Sequence, residues 1–429
     1  MISALILVVL LVVLLSISVP IAFSIGLLAL AGLMLAGVDN PTIAAQRMFA
    51  GMNSYGLLAL PLFILAGNIL VAGGVIQRLI DFADVIVGRI RGGLAQVNVL
   101  ANLMMAGVSG SATADTAALG AVMLPTMKAR GYSVEFASAL TVSGAIMAPI
   151  LPPSLIMVIY AIPTKLSIGA MFFAGIMPAL LIALLLMIYV AYACRNHPMP
   201  TTAAPTPRIL LQATIKALPV LVAPIIIVGG VRGGIFTATE AAAVLCGYAF
   251  LLCVVGYRAV SFARLGQVFR ESALTSATVM IIVATSNLFA WYLAMENVPN
   301  ATRDLFQMMT DNPIVFLLLV NLFLLFVGAF VDTVPAILIF VPILQPTAVQ
   351  FGIDPIHFAI VVIVNLMIGL NTPPVGTNLL VISSIGGKSM GQITRALMPF
   401  YVVKIIALII ITYVPAVSLW LPRMAGLIN

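Results

Sequence analysis

The chain has 429 residues, of which 63% are hydrophobic and 7% charged. A soluble domain carries roughly 25% charged residues, so this composition excludes a soluble enzyme, a nucleotide-binding module or a DNA reader. It predicts an all-α polytopic membrane protein with almost no extramembrane mass, and the formal charge of +7 becomes a matter of loop topology.

The first apolar run, 2–18, opens on "MISALILVVLLVV". It has no basic n-region and no small-residue cleavage site, so it reads as a membrane helix and not as a removed signal. Crossings follow at 20–37 and 54–74. Residues 75–93 mix charges with apolar residues at helical spacing and read as a helix lying at the inner interface. "AGVSGSATADTAALG" (106–120) interrupts an apolar stretch whose halves, about 12–15 residues each, are too short to cross a ~30 Å core. The region of about 94–125 is therefore read as a re-entrant hairpin: helix in, polar tip at mid-depth, helix out. A broken helix at about 134–161 and a crossing at 168–193 complete the first half, 1–194.

"RNHPMPTTAAPTPR" (195–208) is a polar linker. The second half, 209–429, offers crossings at 209–230 and 235–256. An interfacial stretch at 257–271 is read as the equivalent of 75–93. A crossing at 272–295, a hairpin at about 312–347 around "VGAFVDTVPAIL", a broken helix at about 355–384 and a crossing at 393–419 follow. Cys194, Cys246 and Cys253 have neither metal-ligand nor disulfide spacing. His197 and His357 have no metal partner in sequence and read as ordinary residues.

The halves repeat. Pro125-Thr126, Gly131 and Pro152-Pro153 lie 221 residues before Pro346-Thr347, Gly352 and Pro373-Pro374 in one ungapped register. Ser133 and Asp354, also 221 apart, are both good helix N-caps. The Asp-Thr pairs of the hairpins, Asp115-Thr116 and Asp332-Thr333, are 217 apart, which suggests four extra residues in the second half. Ten crossings plus two hairpins, five crossings to a half, make the repeats inverted in topology, the plan of many secondary transporters. With both termini outside, 13 Lys/Arg fall on the inner side and 5 on the outer, so the linker is cytoplasmic and the termini periplasmic.

Unwound backbone at the membrane midplane is tolerated only where it is buried in protein or lines a cavity. Carbonyls and hydroxyls there suit a hard cation such as Na+, and half-helix N-termini suit an anion. One cluster is Ser109, Gly110, Ser111 and Thr113 near the break at Pro149–Ser154. The other is Gly328, Asp332 and Thr333 near the break at Gly369–Asn378, "GLNTPPVGTN". An ionisable residue in a span is a functional candidate by default. Two roles are open to Asp115 and Asp332: capping the half-helix after a tip, or serving as coupling-ion ligand or proton carrier. Glu240 begins "TEAAAVL" and reads as structural.

At "LLALPLFILAGNIL" (57–70), "GGLAQVNVLANLMMAGVSGSATADTAALG" (92–120), "RGYSVEFASALTVSGAIMAPILPPSLIMVIYA" (130–161), "GGIFTATEAAAV" (233–244) and "GLNTPPVGTN" (369–378) the chain resembles the large membrane subunit of the TRAP (tripartite ATP-independent periplasmic) transporters, a DctM-type permease. The resemblance implies a Na+-coupled, elevator-type importer of an organic acid in the bacterial inner membrane. It implies two partners, a small four-helix membrane subunit on a separate chain and a periplasmic substrate-binding protein. Carried over, one sodium site involves Ser109, Gly110, Ser111, Pro149 and Pro152. The other involves Gly328, Asp332, Gly369, Asn371, Thr372 and Thr377. The substrate lies between the tips, near Ser111, Thr113, Asp115, Thr333, Pro153, Pro374 and Asn378. "GAFVDTVP" has less hydroxyl or asparagine character than some relatives carry at the second tip. The competing readings are a proton-coupled carrier of the same fold, using Asp115 or Asp332, and an ATP-driven importer permease, suggested by the Glu-Ala-Ala…Gly pattern of "EAAAVLCG" (240–247). No Ser/His pair, His-rich cluster or paired-Asp motif marks an enzyme.

Overall fold

A computed structural model describes residues 10, 13–14, 19–38, 40–195 and 205–428. Most of the expected first crossing, His197 and most of the linker lie outside the described residues. The described residues are helical without a strand. In chain order the first half holds α1 (Ile21–Leu35), α2 (Pro41–Met52), α3 (Ala59–Ala72), α4 (Val75–Val87), α5 (Leu94–Ser109), α6 (Ala112–Ala129), α7 (Val134–Ala145), α8 (Leu155–Thr164) and α9 (Ile168–Ala193). The second holds α10 (Pro207–Arg232), α11 (Ala238–Phe250, continued by a π-helical turn Leu251–Gly256), α12 (Phe262–Met295), α13 (Val298–Met309), α14 (Pro313–Phe330), α15 (Thr333–Gln350), α16 (Pro355–Gly369), α17 (Thr377–Gly386), α18 (Met390–Tyr413) and α19 (Ala416–Met424). Among the described residues, eight helical segments are long and apolar enough to cross a membrane.

Capping side chains fix where these helices begin. Ser111, Ser133, Ser154, Ser167, Asp332, Asp354 and Ser389 are all N-caps that accept a backbone N–H of the following turn. Their spacing exposes the repeat more fully than the identities do. Ser111 and Asp332 are 221 apart, and so are both ends of α6 and α15. The N-cap of α12, Ser261, lies 221 after Asn40, the N-cap of α2.

Three expectations are corrected by this register. The 217 offset and the four extra residues are wrong: Asp332 is equivalent to Ser111, and the shared Asp-Thr dipeptide is coincidental. The stretch 257–271 is not a separate interfacial helix, because α12 starts at Phe262 and runs through Met295 without a proline. Its first turns match α2, a helix the sequence reading missed. The first repeat is interrupted at Asn53-Ser54 where α12 is continuous. The equivalent of α4 is α13, also missed. Both start on a residue in left-handed conformation, Gly74 (φ 69°) and Asn297 (φ 56°).

Packing follows the same two-fold plan. α1 packs on α12 as α11 packs on α3; α6 meets α17 as α15 meets α8; α7 meets α18 as α16 meets α9. Every such pair joins one repeat to the other, so neither half closes its core alone. α4 buries Val75, Leu79, Ile80, Ala83 and Val87 along one stripe and turns Arg78, Asp81 and Asp84 away from it.

The hairpin arms are longer than expected, 16 and 18 residues in the first hairpin and 18 and 18 in the second. Each tip nevertheless meets the middle of a broken helix, so the surplus turns lie toward the open ends of the hairpins. In α6 that end carries the exposed Pro125, Thr126 and Lys128.

Candidate functional site

The first junction is built by α5, α6, α7 and α8. α5 ends at Ser109 and the chain reverses through Gly110, which sits at φ 64°. A Cβ there would stand 2.4 Å from the Pro153 carbonyl oxygen, so only glycine allows this approach. Ser111 caps α6, accepting from Ala114 N at 3.4 Å, and its hydroxyl lies 3.2 Å from that of Thr113. The Ser109 hydroxyl accepts from Ser111 N at 3.3 Å. Opposite, the chain unwinds from Ile146 to Ser154 between α7 and α8. Ser154 closes the gap, donating to the Pro149 carbonyl at 2.5 Å and capping α8 through Met157 N at 3.1 Å. Pro152 and Pro153 are joined by a cis peptide bond and are buried.

The second junction repeats this plan with different residues. Gly328 of α14 and Gly369 of α16 cross backbone to backbone; a Cβ on Gly369 would stand 2.6 Å from the Gly328 Cα. The chain then unwinds from Leu370 to Gly376, with a cis Pro373–Pro374 bond. Val375 N donates to the Ala329 carbonyl at 3.2 Å, tying the break to the hairpin. Asn371 is fully buried. Its Nδ2 donates to the Val142 carbonyl at 3.0 Å, its Oδ1 accepts from Asn378 Nδ2 at 2.9 Å, and its own carbonyl accepts from the Tyr401 hydroxyl. Thr372 Oγ1 donates to the Ile368 carbonyl at 2.9 Å. The polar groups of "GLNTPPVGTN" are thus satisfied largely by the hairpin, by α7 and by α18.

Among the described residues, the buried atoms without a hydrogen-bond partner include several oxygens on the hairpins and broken helices: both carboxylate oxygens of Asp115, Thr116 Oγ1, Ser138 Oγ and Ser143 Oγ in the first half, and Thr333 Oγ1, Asn365 Oδ1, Thr377 Oγ1 and Asn378 Oδ1 in the second. Buried polar atoms are rarely left unpaired, and these are all oxygens, the ligand type a hard cation takes. Asp115 is fully buried one turn into α6, with the Ser109 side chain beside it but outside hydrogen-bonding geometry. Because Ser111 already caps α6, the capping role does not fall to Asp115. Asp332 does cap its helix, accepting from Val334 N at 3.4 Å, and it is exposed. The junctions differ in access too: Pro152 and Pro153 are sealed in, while Pro373 and Pro374 are exposed.

Glu240 lies away from both junctions. It forms a capping box with Thr237, receiving Thr237 N at 2.8 Å. His357 is occupied on both ring nitrogens, by Ser418 Oγ at 2.8 Å and the Thr412 carbonyl at 3.1 Å.

Three residues at the junctions escaped the sequence reading. Gly67 of α3 packs on the tip, where a Cβ would lie 3.4 Å from the Ser109 carbonyl. Gly175 of α9 brings its backbone against the Ile150 carbonyl, the position equivalent to Asn371. Tyr401 of α18 holds Asn371; the buried Lys404, one turn on, lies 4.4 Å over the Tyr401 ring. The glycine of "LAGNIL" was a visible signal; the other two sit in ordinary apolar helices.

Residues 8–417 match the family model described as the DctM component of the tripartite ATP-independent periplasmic transporters. The chain is 38% identical to the sialic acid TRAP transporter large permease SiaM of Vibrio cholerae, covering 94% of this chain and 95% of that one. It is 39% identical to the C4-dicarboxylate TRAP transporter large permease DctM of Pseudomonas aeruginosa, with 94% and 95% covered. Among solved structures, the YdaH transporter of Alcanivorax borkumensis shares the fold, with a TM-score of 0.60 at 12% identity over 90% of this chain and 88% of that one. The chain therefore belongs to the DctM family, the large permeases of the tripartite ATP-independent periplasmic transporters.

Proposed function

We propose that this chain is the permease subunit of a Na+-coupled, binding-protein-dependent importer of an organic acid, working by elevator-type alternating access in the bacterial inner membrane. The observation that carries the reading is the pair of tip-to-break junctions, related by one register, with buried oxygens at or beside them that no protein group satisfies. Na+ at the first junction would draw on Ser109, Gly110, Ser111 and the carbonyls near Pro149 and Pro152. At the second it would draw on Gly328, Asp332, Gly369, Asn371, Thr372 and Thr377. The Asn371 side chain is committed to Val142 and Asn378, so its part there is to shape the break. The substrate carboxylate would lie between the tips, facing the N-termini of α6, α8, α15 and α17, where partial positive charge gathers. The hairpins and broken helices of the two repeats interlock with one another, as a body that moves as a unit must.

Relatives named as permeases for sialic acid, C4-dicarboxylates and isethionate support an organic anion as cargo. By the family's composition, a small membrane subunit and a periplasmic binding protein complete the importer. A proton-coupled version of the same carrier is favoured by one observation, the fully buried and unpartnered Asp115 carboxyl.

The test is the thermal stability of the purified subunit in NaCl against KCl and choline chloride at matched ionic strength. A ligand that binds only the folded state stabilises by about 2.7 kcal/mol at a hundredfold excess over Kd. A saturable, Na+-specific rise is expected. Equal stability in all three salts, with stability changing instead with pH, would transfer the coupling role to a proton on Asp115.

A further inference from the structure

A cavity of about 350 Å³ lies between the repeats, away from both breaks. The end of α2 and the turn after it (Gly51, Ser54), the C-terminal half of α8 with its C-cap (Ile159, Ile162, Pro163, Lys165), the last third of α12 (Ser286, Asn287) and α15 (Leu338, Pro342) all contribute to its wall. Its size is at the small end for a ligand pocket.

The lining is selective in its charge. Lys165 is the one charged residue among those lining the cavity, and among the described residues it forms no salt bridge. Ser286 is 1% exposed and its Oγ has no hydrogen-bond partner. Asn287 is pinned in place by Gly51, where a Cβ would come within 2.5 Å of the Asn287 Cβ, so the amide is held by a backbone that cannot carry a side chain. Ser54 adds a second hydroxyl. Lys165 itself sits in the left-handed region at φ 56°, a conformation that glycine or asparagine adopts more easily. The remaining wall is aliphatic.

We infer that this cavity is a binding site for a small organic monoanion bearing hydroxyl groups, a sugar-acid-like monocarboxylate. One ammonium matches one carboxylate. A second negative charge would find no second cation on the wall, which has only neutral hydroxyl and amide groups besides Lys165. Ser286, Asn287 and Ser54 supply donors and acceptors for the hydroxyls. The site lies between α8 and α15 on one side and α2 and α12 on the other, so an occupant would bridge elements of both repeats. The assignment does not rest on the nature of the coupling ion.

The test is thiol labelling of detergent-solubilised, full-length protein in KCl, with Cys194, Cys246 and Cys253 replaced by alanine. Cysteine is placed at the lining position Ser54→Cys and, separately, at the exposed lining position Pro163→Cys, so that one failed variant does not end the experiment. Each is reacted with an anionic and a cationic methanethiosulfonate, and both rates are normalised to those with a free thiol. The normalised anionic rate should exceed the cationic one by about threefold or more, as a focused positive potential requires. Adding Lys165→Gln should remove that preference. Gluconate should slow labelling at both positions, while sorbitol, neutral and similar in size, should not. Equal normalised rates, a preference that survives Lys165→Gln, or absence of gluconate protection overturns the assignment. Protection by phosphatidylglycerol in place of gluconate also overturns it and gives the cation to a lipid headgroup. Because the assay contains no Na+ and measures no uptake, its failure and failure of the coupling proposal are separate results.

Discussion

Gly328 and Gly369 show how a single missing methyl group sets the second junction. In most helices glycine to alanine is favourable by about 1 kcal/mol through backbone entropy. Here the new Cβ of Gly369→Ala would stand 2.6 Å from the Gly328 Cα, and that of Gly328→Ala 3.0 Å from the Gly369 Cα. The obstacle in both cases is backbone, which cannot rotate away. Overpacking of this kind costs about 1–3 kcal/mol. Gly369→Ala is therefore expected to lower the thermal midpoint in KCl and to abolish the Na+ response, with Gly328→Ala weaker on both counts. The control is Gly391→Ala, in the first turn of α18 with open space around it, which should raise or preserve the midpoint. A stabilised Gly369→Ala would mean that the two backbones are not in contact.

At the scale of elements, the hairpins use their two aspartates differently, and the difference is measurable. Asp332 caps α15; Asp115 caps nothing. Asp332→Ser should keep the cap and stay within about 0.5 kcal/mol of the parent in KCl, while Asp332→Ala should lose about 1 kcal/mol. Asp115→Asn removes a buried, unpartnered carboxyl and should not destabilise the protein in KCl, because no protein hydrogen bond is lost with it. In NaCl it should lose most of the Na+-dependent rise. Loss of stability in both salts would instead make Asp115 a structural residue. Much of this level was legible in the sequence. Hairpins and breaks showed as polar or proline-rich interruptions in apolar runs, and Pro152-Pro153 with Pro373-Pro374 fixed the register. What was not legible follows from what sequence patterns omit. The Asp-Thr dipeptide misled because identity outweighed function: serine and aspartate cap helices equally well, so Ser111 and Asp332 correspond without matching. Helix α12 was cut in two because its charged first turns resemble an interfacial helix, while its continuity depends only on the absence of a breaker. Tyr401 and Gly175 act through tertiary contacts between distant helices, which no local pattern encodes.

For the whole molecule, the reciprocal contacts matter more than any one helix. α1 on α12 and α11 on α3, like α6 on α17 and α15 on α8, are the same contact made twice by an approximate two-fold operation. Such reciprocity arises in a membrane when each repeat crosses an odd number of times, since the second copy then enters from the opposite face. The loop at the open end of the first hairpin, around Arg130, and that of the second, around Gln350, must then lie on opposite sides. Both residues are exposed. In intact cells, with Cys194, Cys246 and Cys253 replaced by alanine, Gln350→Cys should react with a membrane-impermeant maleimide and Arg130→Cys should not. After the membrane is permeabilised, both should react. This expected sidedness rests on the 13-to-5 distribution of Lys and Arg, which puts Lys128 and Arg130 in the inner set. The reverse pattern, Arg130→Cys labelled and Gln350→Cys protected, would keep the inverted repeat and turn the molecule over. Labelling of both in intact cells would remove the inversion itself, and with it the reason for placing the two tips at the same depth from opposite faces.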